Sequence, residues 1–183
     1  MSPPLQISTP RLTLRPLGTE FLDSAHQYSS DAENTKYMVF LPNESISETK
    51  AFLLACEHEW AKSTPAFYEF AILKDGVHIG AVGIYTNERK DTAELGWILN
   101  PSYHNRGYAT EAARAVMDFA KTELNIRRFV AHCDTENAAS RKVMEKLGFV
   151  RTSETGGRKN KGSDKERREY TYELSCPCEN SAT

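Results

Sequence analysis

The segment from Asn100 to Glu111 has the residue types and spacing that best suit ligand chemistry. Pro101 cannot continue a central strand, so a strand ends before it, and after a short turn Gly107 begins a helix. The first turn of a helix leaves backbone N–H groups unpaired, and the helix dipole makes that end electropositive. Arg106 adds positive charge, and Gly107 and Ala109 leave room for a ligand. The pattern predicts a phosphate or pyrophosphate site; the alternative is a tight connection that needs glycine only for steric reasons.

Glu94 is a second candidate, because it lies a few residues before the predicted anion site. The alternation in Thr92–Leu99 predicts a strand, with Glu94, Gly96 and Ile98 on one face. A carboxylate beside a glycine on a strand face can reach a ligand. The alternative is a glutamate that is simply exposed to solvent or lies on an edge strand.

Alternating strands and helices must position these residues. The predicted strands are Arg11–Leu17, Phe67–Leu73, Val77–Tyr85, Thr92–Leu99, Arg127–Cys133, one that starts at Phe149–Thr152, and Arg168–Leu174. The predicted helices begin at Thr19, at the Ser45–Glu48 capping box, at Gly107 and at Asn137, the last ending at Gly148. The segment 156–169, rich in Lys, Arg and Gly, is interpreted as a mobile loop.

This order of elements predicts an α/β fold with a mixed sheet and helices on both faces. One domain is expected over residues 1–175, followed by a disordered tail at 176–183. The chain has 183 residues, of which 39% are hydrophobic and 26% charged, which is typical of a globular domain.

Composition argues against several classes of function. The net charge of −2 gives no global basic field, so nucleic-acid binding is not implied. The N-terminus lacks an apolar signal region and no apolar run could span a membrane, so a cytoplasmic protein is expected. The cysteines are Cys56, Cys133, Cys176 and Cys178, and they complete no zinc site, so we expect reduced thiols and no metal.

The motifs together resemble the GNAT N-acetyltransferases. The residues that carry the resemblance are Glu94–Pro101, Arg106–Ala112, Asn137–Ser140 and Lys146–Phe149. Within that family the chain is similar to the ribosomal-protein alanine acetyltransferases. Its segment Thr9–Arg15 also resembles the first strand of that group. The match covers most of the chain. It implies the GNAT fold, in which a mostly antiparallel sheet splays at the cofactor cleft.

The resemblance implies acetyl-CoA as co-substrate. In this family the turn before the central helix holds the CoA pyrophosphate, and the preceding strand, here Ile98 and Leu99, pairs with the pantetheine arm. Asn137 and Ser140 are expected on the cofactor's other side. The sequence departs from the family at His104 and Asn105, although asparagine tolerates a left-handed backbone. The implied pyrophosphate residues are Asn105, Arg106, Gly107, Tyr108, Ala109 and Thr110.

The implied reaction is direct attack of an amine on the thioester in a ternary complex. A protonated amine is not a nucleophile, so a base must take its proton, and Glu94 is the candidate. A backbone N–H near Ile98 would stabilise the oxyanion. Related enzymes place a serine near the leaving thiolate, which maps to Ser140, with Tyr103 and Tyr108 as substitutes.

The acceptor stays open, between a protein N-terminus, a ribosomal or other protein, and small-molecule or antibiotic amines. The basic segment 156–169 would suit an acidic partner, or is a solvated loop. The alternatives to an enzyme are a non-catalytic CoA-binding sensor or scaffold, and a ribosome- or RNA-binding protein. A monomer or homodimer without membrane attachment is expected.

Overall fold

The computed structural model describes residues 5–176. The tail predicted at 176–183 therefore lies outside the described residues, except for Cys176. The strands are β1 (Ile7–Ser8), β2 (Thr13–Pro16), β3 (Phe67–Lys74), β4 (Val77–Thr86), β5 (Thr92–Leu99), β6 (Arg128–Asp134), β7 (Val150–Lys159) and β8 (Glu166–Ser175). The α-helices are α1 (Leu22–Ser29), α2 (Ala32–Thr35), α3 (Ile46–Trp60), α4 (Tyr108–Glu123) and α5 (Ala138–Leu147).

The strands form one mixed sheet in the order β1-β2-β3-β4-β5-β6-β8-β7. Neighbouring strands are antiparallel except for β5 and β6, which are parallel. Their pairing runs from Thr92 and Arg128 to Glu94 and Val130 and then stops, although both strands continue. The sheet thus opens into a cleft between the second halves of β5 and β6. The α/β fold class and the splayed sheet expected from the sequence are confirmed.

Helices cover both faces of the sheet. α4 and α5 pack on one face, where the apolar stripe of α4 is buried against Leu95 and Phe129. α1 and α3 pack on the other face, against Ala71 and Ala81. Glu94, Gly96 and Ile98 point to this second face, as their alternation predicts. The buried stripe of α4 consists of Ala112, Ala113, Val116, Met117 and Ala120.

Local signals in the sequence predicted most boundaries well. Ser45 Oγ accepts a hydrogen bond from Glu48 N (3.3 Å) at the start of α3. Asn137 Oδ1 accepts one from Ser140 N (3.0 Å) at the start of α5, and Gly148 ends that helix with φ of +90°. Cys56, Cys133 and Cys176 are free thiols, whereas Cys178 lies outside the described residues.

The prediction of a mobile loop at 156–169 is wrong, because the segment forms the end of β7, a turn and the start of β8. Four of its basic side chains pair with carboxylates, three of which lie outside the segment. Arg158 pairs with Glu169, and Arg167 pairs with Asp134 at 2.6 Å. Lys161 and Arg168 also pair, with Glu48 and Glu154 respectively.

Thr19 is not the N-cap that the sequence predicts. It begins a 3₁₀ turn, Thr19–Phe21, whose N-cap is Gly18. The backbone N and the hydroxyl of Thr19 both donate to Glu57 Oε1 of α3, each at 2.6 Å. The short β1 and α2 were also not predicted, and α2 is capped by Asp31.

Candidate active site

The segment between β5 and α4 turns sharply at the mouth of the cleft. Asn100 Oδ1 accepts a hydrogen bond from Ser102 N (3.1 Å) and so caps the 3₁₀ turn Pro101–Tyr103. Asn105 and Gly107 follow with φ of +60° and +82°. Asparagine and glycine are the residues that adopt such angles at least cost. The left-handed angle at Asn105 agrees with the tolerance expected of asparagine.

The N-terminus of α4 is open to a ligand. Gly107 is its N-cap, and no side chain in the described part of the protein accepts a hydrogen bond there. The first N–H groups of a helix have no intrahelical partner, so those of Tyr108, Ala109 and Thr110 can bind an anion. Arg106 is exposed beside them. The residues expected to hold the pyrophosphate are therefore contiguous and oriented by one helix terminus.

Thr9 and Arg11, in the turn between β1 and β2, hydrogen-bond to the start of α4. Glu111 in the first helical turn accepts hydrogen bonds from Thr9 Oγ1 (2.6 Å) and Arg11 Nε (2.7 Å). Burial acts to raise the pKa of the Glu111 carboxyl, but these hydrogen bonds outweigh it and hold that pKa below its usual range. Arg11 also donates to Arg106 O (3.0 Å) and lies 4.7 Å from the centre of the Tyr108 ring. The sequence did not predict these contacts, which join residues about a hundred positions apart.

The last residue of β5, Leu99, is hydrogen-bonded to the helix α2. Asn34 Nδ2 of α2 donates to Leu99 O (3.1 Å) and to Tyr28 O (2.9 Å). His104 Nε2 also lies 3.1 Å from Leu99 O. Ile98 is partly buried against the cluster of α1 and α3. The carbonyl of Leu99 is thus occupied within the protein, and other backbone groups of β5 border the cleft.

Glu94 is exposed where the pairing of β5 and β6 ends. Its cross-strand partners are Tyr85 on β4 and Val130 on β6. Gly96, two residues after Glu94, has no side chain to cover the sheet at this point. The Tyr85 ring lies 3.9 Å from where a Cβ of Gly96 would be. A carboxylate at this position faces any molecule that enters the cleft from the side of α1 and α3.

Glu69 on β3 is a buried carboxylate that sequence reasoning missed. It is 6% exposed and accepts a hydrogen bond from the hydroxyl of Tyr85. Its side chain crosses Gly83 on β4, where any Cβ would collide with the carboxylate. Burial raises the pKa of Glu69 to about 7, and the hydrogen bond from Tyr85 acts in the opposite direction. The available signal was a glutamate within an otherwise apolar strand.

The candidates after β6 lie on the other side of the cleft. Ser140 is half-buried in the first turn of α5, which begins just beyond the end of β6. The side-chain oxygen of Asn137 caps this helix, so that only its amide NH₂ group is available to a cofactor.

The two tyrosines considered as substitutes for Ser140 lie near the start of α4. Tyr108 is buried beneath Arg11, and its ring centre lies 6.5 Å from that of Tyr103.

Two absences concern residues 5–176. In that range no three His, Cys, Asp or Glu side chains are grouped as metal ligands would be. The same part of the chain contains no helix whose length and apolarity would let it cross a membrane.

A sheet that opens between two parallel strands, with an uncapped helix terminus at the opening, suits an extended, phosphate-bearing ligand. A model of the family described as "Acetyltransferase (GNAT) domain" matches residues 11–150. The chain belongs to the GNAT family of N-acetyltransferases and is an acyltransferase. Acetyl-CoA is the co-substrate that this family implies.

Named relatives support the assignment. The uncharacterized N-acetyltransferase YnaD of Bacillus subtilis is 34% identical over 150 residues, which cover 80% of this chain and 84% of that protein. The spermidine N(1)-acetyltransferase of Escherichia coli K12 is 31% identical, with coverage of 74% and 71%. A solved ribosomal alpha-N-protein acetyltransferase in complex with coenzyme A shares the fold, with a TM-score of 0.82 at 19% identity over 94% of this chain and 98% of that one.

Proposed function

We propose that the protein transfers the acetyl group of acetyl-CoA to a primary amine, by direct attack of the amine on the thioester in a ternary complex. The observation that carries this proposal is the position of Glu94, an exposed carboxylate on the face of the cleft opposite α4. The helix terminus at Gly107 supplies the matching site for the cofactor's phosphates. The activity is proposed to reside in one domain over residues 1–175, because the described strands form one sheet.

The proposed reaction assigns a separate role to each side of the cleft. Glu94 takes a proton from the bound ammonium, directly or through a water, so that the amine nitrogen can attack. Backbone N–H groups of β5 near Ile98 stabilise the negative charge that develops on the thioester oxygen. The leaving thiolate has a reference thiol pKa of about 8.5, so a hydrogen bond from Ser140 is sufficient help.

The cofactor contacts are proposed on the same geometry. The phosphates bind the backbone amides from Asn105 to Thr110 and the side chain of Arg106. The pantetheine arm lies along Ile98 and Leu99, with Asn137 on its other side. This arrangement fits the open helix terminus and the unpaired second half of β5.

The acceptor is proposed to be a cationic amine, either a small polyamine or a protein N-terminus. The exposed Glu94 and the buried Glu69 point to the same face of the sheet, and their carboxyl groups favour a positive charge. A relative named above acts on spermidine, and a structural neighbour is a ribosomal alpha-N-protein acetyltransferase. Binding of RNA is not favoured, since Arg158, Lys161, Arg167 and Arg168 are already paired with carboxylates.

The test is an acyl-transfer assay with acetyl-CoA and a panel of amines: spermidine, peptides with free N-termini, and amino acids. We expect release of CoA together with an acetylated product that mass spectrometry identifies. Glu94→Gln should lower kcat by about 10²- to 10⁴-fold with little change in acetyl-CoA affinity, whereas Glu88→Gln in the exposed β4–β5 turn should have no effect. Release of CoA without an acetylated amine would contradict the proposal, and loss of cofactor binding in Glu94→Gln would make that residue structural.

A further inference from the structure

The attraction of Glu69 for a cationic acceptor does not explain why its carboxyl group is buried and bonded to Tyr85. Glu69 on β3 points to the same face of the sheet as Glu94, two strands away, through the register Glu69–Gly83–Gly96. Its carboxylate lies across Gly83 and accepts a hydrogen bond from Tyr85. A buried carboxylate with so few partners is costly, and a hydrophobic residue of similar size would be the more stable choice.

Tyr85 connects this buried carboxylate to the cleft. Its side chain is on the surface, with the residue 38% exposed, while its hydroxyl is turned inward to Glu69. Tyr85 and Glu94 are direct cross-strand partners and therefore neighbours on one face. The ring stacks on Phe67 at 5.4 Å between centres, which fixes its direction. Glu94, Tyr85 and Glu69 thus form a row of oxygen-bearing side chains that runs from the cleft into the protein.

Among the described residues, the groups that face Glu69 from the surrounding elements include no cation that would offset the cost of burying its charge. They are Tyr28 from α1, Cys56 from α3 and Tyr85 from β4, all of them acids or neutral donors, and their own pKa values are raised partly by Glu69. Burial keeps the pKa of Glu69 near 7. A carboxyl group that exchanges a proton close to neutral pH suits general base chemistry.

We propose that Glu69 is the proton acceptor behind Glu94 in the acetyl-transfer site, reached through the hydroxyl of Tyr85. This inference rests on the proposed function. Before the amine nitrogen attacks, an N–H bond of the bound ammonium breaks and an O–H bond forms on Glu94; the second N–H proton, lost as the amide forms, goes to the leaving thiolate. The proton on Glu94 then passes to the oxygen of Tyr85 while the hydroxyl proton of Tyr85 passes to Glu69 Oε1. Glu94 is ionised again, Glu69 is neutral, and Glu69 loses the proton to solvent after the products leave.

The experiment compares Glu69→Gln, Tyr85→Phe and the double variant with the wild-type protein. Glutamine keeps the shape of the side chain and an oxygen that accepts from Tyr85, so it removes only the capacity to take a proton. The rate parameters kcat and kcat/KM are measured from pH 5.5 to pH 9 with acetyl-CoA and the amine that the panel identifies. Melting temperature and acetyl-CoA affinity serve as controls for folding.

We expect Glu69→Gln to lower kcat at least tenfold and to remove the acid limb of kcat/KM near pH 7, with acetyl-CoA affinity unchanged. Tyr85→Phe should lose as much, and the double variant no more, because groups that act as one unit are not additive. A wild-type kcat and an unchanged pH profile in Glu69→Gln would reduce the pair to a structural role and overturn the inference.

A second measurement does not depend on finding the acceptor. Infrared difference spectra of the wild-type protein and Glu69→Gln isolate the carboxyl band of Glu69 as pH is varied. A band that titrates near pH 7 supports the inference, and one that titrates below about pH 5 overturns it. If this band titrates near pH 7 but no amine is acetylated, the proposed function is refuted, whereas the proton affinity that the inference requires of Glu69 is confirmed.

Discussion

Arg11 and Glu111 join the turn after β1 to the first turn of α4. Arg11 donates its backbone N–H to Glu111 Oε1 (3.0 Å) and its guanidinium to Glu111 Oε2 (2.6 Å for Nη2). The same guanidinium bonds the carbonyl of Arg106 in the turn that precedes the helix. One ion pair therefore holds both sides of Gly107, the residue at which the anion site is proposed.

Removing the charge of Glu111 should weaken this junction. We expect Glu111→Gln to lower the free energy of unfolding by about 1 to 3 kcal/mol, because the carboxylate accepts several hydrogen bonds and is largely shielded from water. Acetyl-CoA affinity should fall as well. Urea denaturation and a binding titration measure the two effects. The control is Glu20→Gln, which breaks the exposed Arg15–Glu20 pair and should cost under about 1 kcal/mol; equal losses in both variants would contradict the prediction.

Gly107→Ala should weaken cofactor binding because it strains the backbone of the turn, and not because its methyl group collides with a neighbour. Among residues 5–176, a Cβ there would meet only Arg11 Nη2, at 3.4 Å, but φ is +82°. The left-handed angle costs a non-glycine residue about 1 to 2 kcal/mol, so the turn should rearrange and acetyl-CoA affinity should drop.

Gly148 offers a matched control, because it has φ of +90° and open space around it at the end of α5. Gly148→Ala should lose similar stability and keep its affinity for acetyl-CoA. Calorimetric titration with acetyl-CoA separates the two variants. Unchanged affinity in Gly107→Ala would refute the assignment of the anion site.

The neighbours Arg167 and Arg168 should differ greatly in their effect on stability. Arg167 pairs with Asp134, whose side chain is fully buried, whereas Arg168 pairs with Glu154 at the surface. Arg167→Met leaves a buried charge uncompensated and should cost about 3 to 5 kcal/mol. Arg168→Met should cost about 0 to 1 kcal/mol. Chemical denaturation of both variants at pH 7 tests the difference, and comparable costs would show that the Asp134 pair is not a buried anchor.

Glu69 should make stability depend on pH. Its pKa rises from 4.5 to about 7 on folding, so the folded state binds the proton more tightly than the unfolded state. The resulting stabilisation is complete below pH 4.5 and is lost as pH rises through 7. At about 1.4 kcal/mol per pKa unit the full loss is about 3 kcal/mol.

Glu69→Gln should therefore be more stable than the wild-type protein at pH 8, and the two should converge toward pH 4.5. Urea denaturation at a series of pH values measures the change, with Glu88→Gln as an exposed control. If the difference between the wild-type protein and Glu69→Gln does not vary with pH, the carboxyl of Glu69 has an ordinary pKa in the folded protein.

The sequence predicted those parts of the fold that local patterns encode. The strands around Glu94, the turn at Gly107 and the cap at Asn137 all depend on residues within one turn or one strand. The site residues at the helix terminus were predictable for the same reason. Their catalytic and binding roles remain predictions, which the experiments above test.

The features that were missed depend on contacts between distant segments. The basic side chains of 156–169 suggested a solvated loop, but Asp134 and Glu48, from other elements, neutralise Arg167 and Lys161. Thr19 has the composition of a helix cap, yet a carboxylate 38 residues later binds it. Glu69 is buried only because Gly83 on the next strand leaves space for its side chain.

The early end of pairing between β5 and β6 gives the sheet two free edges in its interior. Free strand edges carry unpaired N–H and C=O groups and tend to recruit a further strand. The wedge between the two strands suits an extended molecule, and the pantetheine arm of acetyl-CoA has amide groups that can pair as a strand does. The co-substrate would then complete the sheet for the length of one turnover. Slower hydrogen exchange at Trp97 and Leu99, whose N–H groups face away from β4, would record its arrival before any acetyl group has moved.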